Sequence, residues 1–153
     1  MDLALPGTRV KSRTGRWAVV APGTDGRLAV TDKGAVYSVR YGRKRKLRMG
    51  NYFDWGAGEA VRIPYLRVGY RDGEGRVRTV EVHRLVAWTF LGEPPRTPAG
   101  KAWEVHHIDG NHRNNRVGNL EYLEPGYHAQ VTRNGGVKPR KGEGGADSDE
   151  RAA

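Results

Sequence analysis

"WEVHHIDGNHRNNRVGNLEYLEPGYHAQ", residues 103–130, holds four of the chain's five histidines, among them the adjacent pair His106-His107, and four of its six asparagines. A polar surface loop would explain the amides. It would not explain why the side chains that titrate nearest neutral pH are gathered together. The stretch has an internal order. "WEVHHI" is a short β-like run, "DGNHRNN" is rich in turn formers, and "NLEYL" is a second strand-like run opened by Asn119. "EPGYHAQVTRNGG" then begins with a proline at a helix start and closes in Gly-Gly, as a short helix does. Strand, loop, strand and helix therefore follow one another within about thirty residues.

Working outward, "VHRLVAWTFLGEPP" changes period. Val82, Leu85, Val86 and Phe90 fall on one face of a helix that Gly92 and Pro94-Pro95 should end. His83, in its first turn, reads as a structural residue hydrogen-bonded near the helix start. From Arg16 to Val82 the text is strand-like, with short β-branched and aromatic runs separated by Pro22-Gly23, Asp25-Gly26, Lys33-Gly34 and Asp72-Gly73. "YLRVGYRDGEGRVRTVEV" alternates and predicts a hairpin turning at Asp72–Gly75. A small twisted antiparallel sheet is expected, thin in apolar residues and leaning on the C-terminal half for burial. The end, "NGGVKPRKGEGGADSDERAA", has almost nothing to bury and should be disordered. The fold class is α+β.

Bulk properties narrow the chemistry. The 153 residues suit one domain or a small domain with an appended module, and no cysteine is present, so disulfides and thiolate-bound metals are excluded. Any metal must be held by imidazole or oxygen. No apolar run is long enough to span a membrane, and "MDLALPGTRV" lacks the basic and apolar regions of a signal peptide, so an intracellular protein is expected. The net charge of +10 predicts attraction to a polyanion, most simply nucleic acid. It concentrates in "YGRKRKLRMGNY", where Arg43, Lys44, Arg45, Lys46 and Arg48 are basic and aromatic residues stand on either side. Such a run can be a solvated loop or an import signal, or it can grip the phosphates of a nucleic acid.

"HHIDGNHRNNRVGNLEYLEPGYH" resembles the HNH nuclease motif, the ββα-metal fold, in its phage homing-endonuclease form. "VHRLVAWTFLG" is similar to the helix that precedes the motif in that family. "LAVTDKGAVYSVR" more weakly resembles a small N-terminal module fused to such cores. The resemblance implies a β-rich, DNA-contacting module over residues 1–80, an HNH core over 81–134 and a tail over 135–153. It implies His107 as general base, His106 and His128 as ligands of one divalent cation, and Asn119 as the brace of the loop. Arg113 and Arg116 would lie near the substrate with the basic run. Because both implied ligands are imidazoles, Mn²⁺, Ni²⁺ or Zn²⁺ suit the site better than Mg²⁺.

Consecutive strand residues point to opposite faces, so His106 and His107 can share a site only where the strand loses regularity. His112 reads as a surface or phosphate-contacting residue, and Trp88, Trp103 and Tyr122 as core packing. The implied function is a metal-dependent DNA endonuclease, phage-borne and acting in the cytoplasm of a bacterial host, as a monomer or as a homodimer on DNA. The alternatives are a DNA-binding or packaging-associated protein that uses the HNH core as a scaffold, and a basic RNA-binding protein. The second leaves the clustered histidines unexplained.

Overall fold

The structure is a computed structural model that describes residues 4–54 and 58–133. Strands β1 (Arg9–Lys11), β2 (Trp17–Val20), β3 (Leu28–Val30) and β4 (Val36–Ser38) form an antiparallel sheet in sequential order. Strands β5 (Arg48–Asp54), β6 (Glu59–Arg71) and β7 (Val77–Glu81) form a second one. Helix α1 (Val82–Leu91) follows at once. The ribbon of β8 (Glu104–His107) and β9 (Leu120–Leu123) and helix α2 (Pro125–Arg133) complete the fold. The architecture is α+β, as the alternation of strand-like and helical text predicts.

The expected single sheet is two sheets, and its first strand starts at Arg9, ahead of Arg16. Turn residues mark where a chain reverses but not which strands pair. β1, with Arg9 and Lys11 flanking Val10, also buries too little to announce itself. The predicted hairpin is present: Arg71 pairs with Val77, and the Asp72 carboxylate organises the turn. It accepts bonds from the amides of Glu74 and Arg76 and from the Nε of Arg76 and Arg78. Burial raises its pKa, but these donors outweigh burial and hold the carboxyl well below the usual range.

Helix α1 shows the predicted face. Val82, Leu85 and Val86 are buried, Phe90 packs beside them, and Gly92 (φ 86°) takes the left-handed conformation that stops the helix. These side chains meet Leu28, Val30 and Val36 of the first sheet, Val68 of β6 and Leu120 of β9 in one core. The N-terminal strands thus bury themselves against the C-terminal half, as their thin apolar content requires.

The basic run is not a free loop. Lys44 bridges to Tyr37, the Arg45 amide donates to the Val36 carbonyl, and Arg48 opens β5. Residues 43–46 continue the edge of the first sheet with their side chains exposed. The segment 135–153, expected to be a disordered tail, lies outside the described residues.

Candidate active site

The ribbon sets the site. Val105 pairs with Tyr122, His106 with Glu121 and His107 with Leu120, so the register stays regular through His107. Alternation therefore sends Val105 and His107 to one face and Glu104 and His106 to the other. Val105 joins the core, and His107, 2% exposed, lies beyond it among three rings. His83 is 5.2 Å away between centroids, His112 5.4 Å, and Tyr65 6.0 Å in a nearly parallel stack. On the opposite face His106 meets His128 of α2 at 5.5 Å. His106 and His107 thus turn to different neighbours. The break in the strand that a shared site would require is absent, and the two sides are linked instead through the cleft lined by both His83, a neighbour of His107, and His128, the neighbour of His106.

The loop between the strands is tied by amides. Asn119 ends a 3₁₀ turn (Val117–Asn119) just before β9, and its side chain makes three bonds. Its Oδ1 accepts from the Asp109 amide at 3.0 Å, and its Nδ2 donates to Asp109 Oδ1 at 2.9 Å and to the Asn114 carbonyl at 2.8 Å. Asp109 also accepts from the Asn114 side chain and the Asn111 amide, and these bonds lower its pKa.

Asn115, which the sequence marks only as one of the loop's turn formers, is 3% exposed and reaches past the loop. Its Oδ1 accepts a hydrogen bond from His107 Nε2 at 2.8 Å. A ring that donates through Nε2 keeps Nδ1 as its acceptor. Burial lowers the pKa of His107, and the Asn115 bond opposes that only in part. Asn115 is in turn backed by the β3–β4 turn. A Cβ on Gly34 (φ +86°) would lie 2.9 Å from Asn115 Cβ, and the Val117 amide donates to the Asp32 carbonyl.

Tyr65 and Glu104 are not singled out in the sequence, and His83 is expected there only as a structural residue near the helix start. His83 is buried, and burial first, then His107, pushes its pKa down to about 3. Its nearest acid is Glu81, at 3.5 Å. Tyr65 touches His83, His107 and His112. Glu104 Oε2 accepts from His128 Nδ1 at 2.6 Å. Only Glu104 left a trace, since its place two residues before His106 puts it on the same strand face. His112, read as a surface or phosphate-contacting residue, is half-buried in the cluster. Trp88 is 39% exposed and, with Trp103 and Tyr122, lines a cleft of about 670 Å³ whose rim includes His83, Glu104 and His128, so these three residues are not simply core. Arg113 and Arg116 are exposed on the loop, whereas Arg43–Arg48 belong to the sheets.

A cation can be tested against this geometry. Two imidazoles bound to one ion by bonds of about 2.1 Å hold their centroids roughly 5–6 Å apart, and the observed 5.5 Å fits. With Nδ1 donating to Glu104, His128 has Nε2 left as the ligand atom. Among the described residues no group of three or more His, Asp or Glu side chains is placed to hold an ion, so His106 and His128 alone would hold it.

Residues 80–130 match the family model for HNH endonucleases. Over 61 residues, 40% of this chain, the sequence is 41% identical to the "SPbeta prophage-derived putative HNH homing endonuclease YosQ" of Bacillus subtilis. Over 48 residues it is 40% identical to the "Uncharacterized HNH endonuclease L245" of Acanthamoeba polyphaga mimivirus. These matches span 32% and 13% of the two relatives. A solved structure, "DNA binding and cleavage by the HNH homing endonuclease I-HmuI", superposes with a TM-score of 0.52 at 26% identity, covering 86% of this chain and 63% of that one. No described helix is long and apolar enough to cross a membrane. Over residues 80–130 the chain is therefore similar to HNH endonucleases, and over most of its described length it shares the fold of an HNH homing endonuclease.

Proposed function

We propose that the chain is a divalent-metal-dependent DNA endonuclease of the HNH type, probed most directly as a nicking enzyme. One observation carries the reading. His107 is held through Nε2 by the buried Asn115, which leaves Nδ1 as a fixed proton acceptor one residue from the His106–His128 pair. A neutral imidazole so placed takes a proton from water as the water oxygen bonds to phosphorus and the 3′ oxygen departs. Asn119 holds the loop that carries Asp109 and Asn114, and so keeps the end of β8 in place. His106 and His128 would hold the cation, which supplies positive charge against the charge that builds on the phosphate in the transition state. Arg113 and Arg116, exposed on the same loop, are placed to contact substrate phosphates.

One core offers one such centre, so a monomer is expected to cut one strand per encounter and a homodimer on DNA to cut both. Two imidazole ligands favour Mn²⁺, Ni²⁺ or Zn²⁺ over Mg²⁺. The prophage-derived relative favours a phage-borne enzyme acting in a bacterial host. Supercoiled plasmid incubated with the protein and Mn²⁺ should convert to the nicked form, and EDTA should prevent it. Binding without any metal-dependent nicking would instead leave a DNA-binding scaffold.

A further inference from the structure

A second cleft, of about 470 Å³, opens between the first sheet and the β6–β7 hairpin. Arg27, Arg40, Arg45 and Arg71 line it with Tyr41 and Tyr70, and no acidic side chain does so among the described residues. Three of its four guanidinium groups are ordered before any ligand arrives. Arg45 Nη2 donates to the Gly69 carbonyl at 2.9 Å, Arg71 Nη1 donates to the Gly75 carbonyl at 3.0 Å, and Arg40 lies over the Tyr41 ring at 5.1 Å. Tyr70 OH donates to the Gly23 carbonyl and so ties the two walls together. The nearest acid in sequence, Asp72, is already taken up by Arg76 and Arg78. Each anchored arginine uses one or no N–H donor internally and presents the rest. Three anchored cations and Arg27, with no acidic side chain in the lining itself, form a receptor for phosphate oxygens.

Strand β6 joins this cleft to the histidine cluster. Tyr65 stacks on His107, and Gly69, Tyr70 and Arg71 of the same strand line the cleft. Four to six strand residues at about 3.3 Å each span roughly 13–20 Å. At about 3.4 Å per base pair along a duplex, that is about four to six base pairs.

We infer that the Arg27–Arg40–Arg45–Arg71 cleft binds the sugar–phosphate backbone of the DNA flank, about four to six base pairs from the scissile phosphate, with β6 setting the spacing. The inference rests on the DNA-endonuclease reading and goes beyond it, because these residues lie outside the histidine cluster and three of them outside the basic run 43–48.

Phosphate-ethylation interference tests it, on a duplex carrying the plasmid sequence around the mapped nick. Ethylation about four to six base pairs to one side of the nick should block binding by the wild-type protein. The exposed pair Arg40→Ala and Arg71→Ala should lose that interference while keeping the wild-type melting temperature. It should also flatten the dependence of log affinity on log salt by about 0.9 for each phosphate contact removed. Trimming the duplex inside about four base pairs on that side should erase the difference between wild type and variant. Absence of interference in that window, or its persistence in the variant with an unchanged salt slope, would overturn the inference while leaving the nuclease reading intact. A protein that neither binds nor nicks DNA would remove the nuclease reading itself.

Discussion

His107 Nε2 and Asn115 Oδ1 lie 2.8 Å apart, and both residues are almost wholly out of solvent. The pairing makes a carboxamide, eight residues along, the group that decides which imidazole nitrogen is basic. Asn115→Ala should remove the donor's partner and free the ring to rotate or change tautomer. Plasmid nicking should fall by about 10–100-fold, the usual cost of losing an orienting partner, while Mn²⁺ affinity stays near wild type. An unimpaired variant would mean that packing against Tyr65 and His83 alone fixes the ring.

The proposed base and ligands separate by substitution. His107→Ala should cut nicking by about 10²–10⁴-fold with Mn²⁺ binding retained. His128→Ala should weaken Mn²⁺ binding, with activity partly restored by excess Mn²⁺. Electron paramagnetic resonance of free Mn²⁺ follows binding directly. If His107→Ala lost the metal as fully as His128→Ala, the two adjacent histidines would have to exchange roles.

Glu104 should act through His128. The 2.6 Å bond from His128 Nδ1 fixes the ring and its tautomer, so Glu104→Ala should lower Mn²⁺ affinity by about 10–100-fold. Glu104→Gln keeps an oxygen acceptor and should lose less. Equal affinity in Glu104→Ala and wild type would show that the carboxylate has no hold on the ligand.

Acid should unfold the protein partly through His83. Its folded-state pKa, about 3, lies below the ordinary 6.5, so the unfolded chain binds the proton that the folded one refuses. The stabilisation is complete above pH 6.5 and is lost progressively as pH falls towards 3. Asp72, also depressed, keeps its full stabilisation above its ordinary 3.8 and loses it only as pH falls below that. Thermal melts between pH 6.5 and about 4.5 therefore isolate the histidines. The wild-type melting temperature should drop across that window, and His83→Phe should drop less. Parallel curves would assign the acid limb to other groups.

Much of the core was legible because local chemistry dictated it. The period of Val82, Leu85 and Val86 gave α1, the turn formers of 108–115 gave the loop, and Pro125 and Gly135 bracketed α2. The spacing of Asn119 and His128 led to residues that do meet the loop and His106. What stayed hidden depends on long-range packing. Nothing local joins Tyr65 or His83 to His107, since β6 and α1 reach them only through the folded core. The anchoring of Arg45 on Gly69, 24 residues away, turned a solvated run into part of a cleft wall. Regular pairing through His107 also kept the two adjacent histidines on opposite faces, with the cluster closed by α2 and α1 instead of by a broken strand.

The seat of Gly34 against Asn115 bears on how far such a chain can be rebuilt by recombination. A glycine in the β3–β4 turn leaves room for the amide that grips His107, and the Asp32 carbonyl receives the Val117 amide beside it. The strands before residue 80 are thus a mould for the loop as well as a neighbour of it. A graft of residues 81–134 onto a foreign β module would inherit every histidine and still lack the surface that sets Asn115. Exchange between such proteins should succeed only where the crossover carries the turn and the loop together.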